Sequence, residues 1–349
     1  MVVERPARQR SSPDGKAAPR LAVMMDVARL AGVSHQTVSR VLNEHTSVRP
    51  ETRERVLEAI RELDYQPNSA ARTLVTSRSN TLGVVTLDST LFGPASMMYG
   101  IEQAARAAGF FVSIASVSSL SRRPVLEAVN RLREQAVEGI LAIVPKDSGV
   151  AVLSDVPKGI ALVGVGVGRS RDVSTVGVDN AGGAALATQH LLDLGHRTVH
   201  HIAGPTGWPE ARQRAAGWRE TLRGADAELP PTLAGDWSAR AGYEMGRRLA
   251  ADASVTAIFC ANDQMALGAL RALFEAGRRV PDDVSVVGFD DIPEAQFMIP
   301  PLTTVQQDFG EIGRRSLQLL LEIAGGERPE NQVLLSPQLQ IRDSSGPVG

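Results

Sequence analysis

The sequence predicts two parts: an all-α N-terminal headpiece of helix-turn-helix type with a hinge helix, then an α/β core of two doubly wound lobes. Three observations carry this. Residues 21–65 keep a dense helical apolar period that Gly32 interrupts. From Leu82 onward, apolar β-runs alternate with amphipathic helices. At ~150 residues per domain, a chain of 349 residues is also too long for one such sheet.

In chain order, residues 1–20 are rich in Arg, Pro, Ser and Gly without apolar period and read as a disordered tail. The helix-turn-helix domain is placed at 21–66. Val27, Leu30 and Ala31 give its first helix a stripe at i, i+3, i+4, and Gly32 ends it. Ser34 is placed to cap a second helix whose apolar face is Val38, Val41 and Leu42. Pro50 suits the first turn of a third helix with Val56, Ile60 and Leu63 buried. Pro67-Asn68 stops the bundle. Ser69–Val75 then reads as a helical segment too short to stand alone in water, within a hinge at 67–78.

The core is placed at 79–343. Its predicted strands are Leu82–Thr86, Phe110–Ile114, Gly139–Val144, Ala161–Val165, Val199–Ala203, Ala257–Cys260 and Val284–Phe289. Between them lie predicted helices such as Met98–Ala108, Val125–Ala136, Ala184–Leu194, Ala211–Leu222, Ala239–Leu249 and Asp263–Ala276. Lobe one is expected at about 80–178 plus 309–334, lobe two at about 179–306 plus 335–343, with 344–349 a tail.

Composition excludes several classes. Apolar residues at 43% and charged residues at 22% describe a globular chain. No apolar run reaches the ~18 residues of a membrane span, so no membrane partner is expected. The first ten residues lack the apolar core of a signal peptide, which gives a cytoplasmic reading. Cys260 is the single cysteine, excluding an intrachain disulfide and a thiolate metal cluster. Residues 1–79 carry 13 Lys+Arg against 9 Asp+Glu, a net of +4; the rest carries 24 against 30, a net of −6. A basic front on an acidic body points to an anionic partner at one end.

No catalytic constellation emerges, so an enzyme is not expected. Gly164-Val-Gly-Val-Gly168 lacks the spacing of a dinucleotide loop, and there is no P-loop, H-E-x-x-H or G-x-S-x-G. The histidines show no ligand spacing: no metal and no cofactor are expected. His200-His201 reads as a surface pair and Cys260 as core. By contrast, the second headpiece helix turns His35, Gln36, Thr37, Ser39 and Arg40 away from its apolar face. Gln bonds adenine bidentately and Arg guanine, while Ser and Thr suit phosphate oxygens.

These residues carry a resemblance. Asp26-Val-Ala, Ala31-Gly-Val-Ser, Thr37-Val-Ser-Arg-Val-Leu-Asn43, Leu63-Asp-Tyr-Gln-Pro-Asn68 and Ala71-Arg-Thr-Leu74 follow the pattern of the lactose/galactose-repressor (LacI/GalR) family of transcription factors. The match continues to about residue 342. It is densest with the lactose-repressor branch over Gly235-Asp-Trp-Ser238, Ala261–Gly268, Ser285–Asp291, Pro300–Thr304 and Gln307-Asp-Phe309. The chain is identified as a member of that family. This implies that His35, Gln36 and Arg40 read base edges in the major groove while Ser34, Thr37, Ser39 and Asn43 sit on phosphates. It also implies that the hinge residues Asn68, Ala71 and Leu74 enter the minor groove, with Leu74 as the wedge.

The core resembles the sugar-binding core of periplasmic binding proteins. Ligands in such sheets sit beyond the strands' carboxyl ends, where Arg214, Asn262 and Asp290 fall. The resemblance implies that these three hold sugar hydroxyls, with Trp237, Gln307 and Phe309 lining the pocket and Leu91, Pro94 and Met97 completing it from lobe one. Asp263 and Asp291 read as caps. Trp208 and Trp218 suit packing and pocket equally.

Three departures stand out. His35 replaces a tyrosine of the lactose branch, the segment after Ala161–Val165 lacks that branch's aspartate, and no leucine heptad tail follows Arg342. The expected protein is a homodimeric repressor of sugar-utilisation genes on a near-palindromic operator, released by a β-galactoside or related glycoside. The rival reading, a periplasmic-type sugar-binding protein, does not account for residues 21–76.

Overall fold

The computed structural model describes residues 22–42, 45, 47–65, 78–87, 90–144, 152–166 and 172–348, which fall into two compact units, 1–79 and 80–349. The tail at 1–20, Asn43 and the hinge residues Asn68, Ala71 and Leu74 lie outside the described residues.

In the first unit, α1 (Met24–Leu30), α2 (His35–Leu42) and α3 (Pro50–Glu62) enclose a small core of Val27, Ala28, Ala31, Val38, Val41, Val56, Ala59 and Tyr65. Asp26 reaches back to accept the Val23 N–H at 3.0 Å, fixing the start of α1. Gly32, at φ +64, makes the left-handed turn between α1 and α2 without steric cost. The Ser34 hydroxyl accepts the Thr37 N–H at 3.2 Å and caps α2. Leu30, expected in the buried stripe, is 46% exposed instead. It is the last residue of α1, where the helix turns out of the bundle, and Ala31 and Ala28 fill the interior in its place.

The second unit holds two six-stranded sheets. Sheet one is ordered β11-β5-β4-β3-β1-β2, with β1 (Thr81–Leu87), β2 (Phe111–Val117), β3 (Gly139–Ile143), β4 (Ala161–Val165), β5 (Ser174–Val178) and β11 (Gln332–Leu335), all parallel. Sheet two is ordered β12-β10-β9-β8-β6-β7, with β6 (His200–Ala203), β7 (Leu233–Ala234), β8 (Ala257–Cys260), β9 (Ser285–Asp290), β10 (Thr303–Gln306) and an antiparallel edge β12 (Gln338–Gln340). Parallel strands need covered faces, and each sheet has them. Around sheet one lie α4 (Phe92–Ala107) and α10 (Phe309–Ala324) on one core cluster and α5 (Arg122–Glu134) on another. Around sheet two, α6 (Asn180–Asp193) and α7 (Pro209–Gly224) share one cluster, α8 (Ala239–Ala250) and α9 (Asp263–Glu275) the other.

The tail expected at 344–349 is not free up to Val348. Ser344 is fully buried: its hydroxyl donates to the Val286 carbonyl at 2.6 Å and accepts the Thr303 N–H at 2.8 Å. Val348 N–H bonds Leu194 O at 3.2 Å. Asp-Ser-Ser-Gly-Pro is polar and turn-rich, yet here its hydroxyls satisfy backbone groups at the margin of sheet two. Among the described residues, no helix is long and apolar enough to cross a membrane.

Candidate nucleic-acid interface and ligand cleft

In the headpiece, burial of Val38 and Val41 turns the opposite face of α2 outward, so His35, Gln36 and Arg40 are exposed and Thr37 and Ser39 half-exposed. Such a row of donors on one helix suits the major groove, which admits an α-helix and displays a donor–acceptor code for each base pair. Ser34 and Thr37 hydroxyls lie 2.9 Å apart, so the pair expected on phosphates also braces the start of the helix.

In the core, a cavity of about 650 Å³ opens between the lobes at the carboxyl ends of both sheets. Leu91, Pro94, Met97, Arg214, Trp237, Asn262, Asp290 and Gln307 all line it. Arg214 enters from the first turns of α7 and is buried. Its Nε donates to Asn180 Oδ1 at 2.8 Å, and Nη1 donates to Ala261 O and to Asp290 Oδ1 at 3.2 Å. The guanidinium carbon sits 3.7 Å from the Phe289 ring centroid. Burial disfavours both charges of the Arg214–Asp290 pair, raising the carboxyl and lowering the guanidinium, and their mutual attraction opposes it. Gln307 Nε2 donates to the same Asp290 Oδ1 at 2.6 Å. Both bonds use one oxygen, which leaves Oδ2 to accept a ligand hydroxyl. The Asn262 carbonyl caps α9 through the Met265 N–H at 3.0 Å, while its amide donates to Trp237 O at 3.1 Å and Gln264 Oε1 at 2.8 Å.

Two residues here hold left-handed backbone, Trp237 at φ +75 and Asp290 at φ +112. For side chains of this size such angles cost energy that the surrounding contacts must overcome, and they mark positions where the orientation of a group matters. The Trp237 indole N–H is buried with no acceptor among the described residues.

Phe309 does not line the cavity. As first residue of α10 it packs edge-on against Phe92 at 5.7 Å, and Phe92 is the wall. Asp263 accepts the Ile292 N–H at 2.8 Å and the Thr304 hydroxyl at 2.5 Å, tying the start of α9 to the loop after β9. Burial and the neighbouring Asp290 push its carboxyl well above the usual range. Asp291 pairs with Arg342 at 2.6 Å. Trp218 is core, with its N–H on Val199 O at 2.8 Å, whereas Trp208 lines the cavity. Glu210 and Gln213 line it too and were not anticipated.

Of the His200-His201 pair only His200 is half-exposed; His201 is not on the surface. His201 is fully buried between Phe259 (4.7 Å, stacked) and Trp218 (5.3 Å), with Nδ1 2.9 Å from Phe259 O. Both histidines start a strand, and a starting pair reads as exposed only until α7 covers the strand's face. Burial lowers the His201 pKa to about 4. Cys260 is fully buried, and burial pushes its thiol up.

Comparison with known proteins agrees with this division. The profile of the bacterial regulatory proteins of the lacI family matches residues 23–68, and that of the periplasmic binding protein-like domain matches residues 188–345. The lactose operon repressor of Escherichia coli (strain K12) is 35% identical over 324 residues, 92% of this chain and 90% of its own length. The HTH-type transcriptional regulator CelR of Thermobifida fusca is 39% identical over 331 residues, 91% of this chain and 96% of its own. Among solved structures, the lac repressor dimer bound to operator and the anti-inducer ONPF superposes with a TM-score of 0.85 at 35% identity, covering 94% of this chain and 100% of the other. A CelR–cellobiose complex superposes with a TM-score of 0.67 at 35% identity, covering 93% and 99%.

Proposed function

The chain belongs to the lacI family of bacterial regulatory proteins and is a DNA-binding transcriptional repressor; we propose that it holds a near-palindromic operator as a cytoplasmic homodimer and lets go when a glycoside fills the core cleft. His35, Gln36 and Arg40 read base edges, and Ser34, Thr37, Ser39 and Asn43 fix the helix on phosphates. Asn68, Ala71 and Leu74 enter the minor groove, where unstacking a step costs a few kcal/mol. Two headpieces on two half-sites follow from two-fold symmetry. Exposed apolar side chains support association of two copies: Tyr99, Phe111 and Ile114 on lobe one, Phe274, Phe297 and Ile299 on lobe two.

The observation that carries the reading is the buried Arg214–Asp290–Gln307 cluster facing a cavity, in a chain whose α2 presents a row of base-reading side chains. Arg, Asn and Asp each make directed pairs of hydrogen bonds, which suits adjacent hydroxyls on a sugar ring. Trp237 offers an apolar ring face. A β-galactoside or related glycoside is the effector class this favours, and differential affinity for the DNA-bound and free forms supplies the switch.

The test is a gel shift on a fragment carrying this gene's own promoter, with and without galactosides and glucosides. Loss of the shifted band with one sugar is the expected result. A band that forms or strengthens only with sugar reverses the switch to co-repression. A band insensitive to salt contradicts DNA binding, because phosphate contacts release counterions.

A further inference from the structure

Among the described residues the chain passes between the two lobes three times: from β5 into α6 at 178–180, from β10 into α10 at 306–309, and from β11 into β12 at 335–338. These crossings are the covalent joints, so a change of angle between the lobes has to be absorbed there. The first and third are tied together, since the Asp179 N–H donates to the Leu335 carbonyl at 2.9 Å. Asp179 also caps α6, its Oδ1 accepting the Gly182 N–H at 2.8 Å.

With Asp179 as the cap, the side chain of the next residue, Asn180, is turned to the cleft wall instead. Asn180 is only 5% exposed, so the polar atoms it buries need partners. Its Nδ2 donates to the Val178 carbonyl, the last of β5 in lobe one, at 3.1 Å, and to Gln213 Oε1 of α7 in lobe two at 3.3 Å. Its Oδ1 accepts from Arg214 Nε at 2.8 Å. One side chain thus joins the end of a lobe-one strand to the guanidinium of the ligand cluster. Asp290, the partner of Arg214, is held in the same way from the second crossing, by Gln307 Nε2 at 2.6 Å. The buried ion pair is therefore slung between two of the three crossings.

The joint has little slack. A Cβ on Gly217, three residues after Arg214, would overlap the Ala181 carbonyl, so α7 lies backbone to backbone on the start of α6. A Cβ on Gly183 would stand 2.8 Å from the Phe289 ring and 2.9 Å from Pro337 Cγ at the third crossing. Phe289 in turn carries the Arg214 guanidinium over its ring at 3.7 Å. A guanidinium is planar and rigid, so a load on its outer nitrogens moves Nε as well. Close-packed groups pass such a displacement on.

We infer that Asn180 is a positioning residue that couples the filled cleft to the angle between the lobes. Its Oδ1 aims Arg214, and its Nδ2 passes the position of Arg214 to the end of β5. This rests on the reading of the cleft as a glycoside site whose filling releases DNA. The two ends of the amide separate the two roles. In Asn180→Asp the carboxylate keeps the acceptor for Arg214 but sets an oxygen against the Val178 carbonyl where a donor stood. In Asn180→Ala both links are lost.

The experiment uses the full chain, methyl β-galactopyranoside and methyl β-glucopyranoside as probes, and a fragment carrying this gene's own promoter. Calorimetry gives sugar affinity, and fluorescence anisotropy gives DNA affinity without sugar and at saturating sugar. The ratio of the two DNA affinities is the coupling factor, typically about 5- to 150-fold where two sites are linked. In Asn180→Asp that factor should fall at least about fivefold, or to unity where the parent's own factor is smaller. Sugar affinity of the free protein and DNA affinity without sugar should stay within about threefold of the parent. Asn180→Ala should lose the coupling and also bind sugar about tenfold more weakly, because Arg214 Nε is left buried without its acceptor. A residue that only stabilises α6 gives the reverse pattern, a lower melting temperature with the coupling factor intact. A parental coupling factor in either variant overturns the inference, as does an Asn180→Asp that loses sugar affinity but keeps its coupling. If neither glycoside binds the parent, or bound sugar leaves the parent's DNA affinity unchanged, the glycoside reading of the cleft fails and the inference fails with it.

Discussion

The two walls of the cleft are built from the same fold and carry opposite chemistry. On lobe two, Arg214, Asn262, Asp290 and Gln307 project from a helix start and three successive strand ends, each held by hydrogen bonds to the others or to backbone. On lobe one the corresponding strand ends and the start of α4 offer Leu91, Pro94, Met97, Ile143 and Val165. The hydrogen-bonding groups of the cleft thus gather on lobe two, and lobe one offers mainly apolar side chains. Leu91 and Phe92 pack against the core cluster of lobe two, so α4 bears on both lobes. Met97 and Tyr99, two residues apart, lie ~200° apart around α4: Met97 faces the cleft, while Tyr99 is 66% exposed. α4 therefore joins the cleft wall to the face proposed for the second copy.

Substitutions can break this division. The largest effect is expected from Arg214→Lys: a lysine cannot reproduce the fork that holds Asn180, Ala261 and Asp290 together. Glycoside affinity should fall by roughly 100-fold or more, about 3 kcal/mol, in a calorimetric titration. A comparable figure follows for pH. All six histidines lie in the headpiece or in lobe two. His201, with its folded-state pKa lowered to about 4, stays neutral where the unfolded chain takes up a proton below its ordinary value of 6.5. Its contribution is intact above pH 6.5 and is lost as pH falls toward 4, up to about 3 kcal/mol. Melting temperatures of the parent should therefore drop more between pH 7 and pH 4 than those of His201→Gln. Identical profiles would remove His201 from the account.

A smaller effect, about 1–3 kcal/mol, is expected on operator affinity for Gln36→Ala or Arg40→Ala, with sugar titrations unchanged and random-sequence DNA little affected. Equal losses on operator and random DNA would reassign these side chains to phosphates. The smallest is Met97→Ala on the apolar wall, with glycoside affinity changed by less than about 1 kcal/mol while thermal stability falls by about 2 kcal/mol. A larger affinity loss than Arg214→Lys gives would invert the assignment of the two walls.

The same contrast governs what could be read from the sequence. Strands β3, β4 and β8 are unbroken apolar runs because both faces are covered, and they stand out as such; β1 and β9 keep apolar stretches, whereas β6 opens with His200 and His201. Ser174–Val178, Thr303–Gln306 and Gln338–Gln340 were not anticipated, since polar or small residues interrupt short strands whose register comes from their neighbours. That Arg214, Asn262 and Asp290 line the cleft could be read from the sequence, because clefts in such folds open beyond the carboxyl ends of parallel strands. Glu210 was not legible: an acid in the first turn reads as a complement to the helix dipole. The i, i+4 relation to Arg214 was the available signal. Phe309 followed the motif into the pocket, whereas its place as the first residue of α10 sends it onto Phe92.

The measurement that bears most directly on the account is fluorescence anisotropy of a labelled promoter fragment, at one fixed salt concentration, titrated with a glycoside that binds the core. With the parent chain, the signal should fall as the sugar saturates, and with Arg214→Lys the same fall should need roughly 100-fold more sugar. A sugar that saturates the cleft without changing DNA affinity, or an Arg214→Lys curve that overlays the parent, would contradict the coupling of this cleft to DNA release.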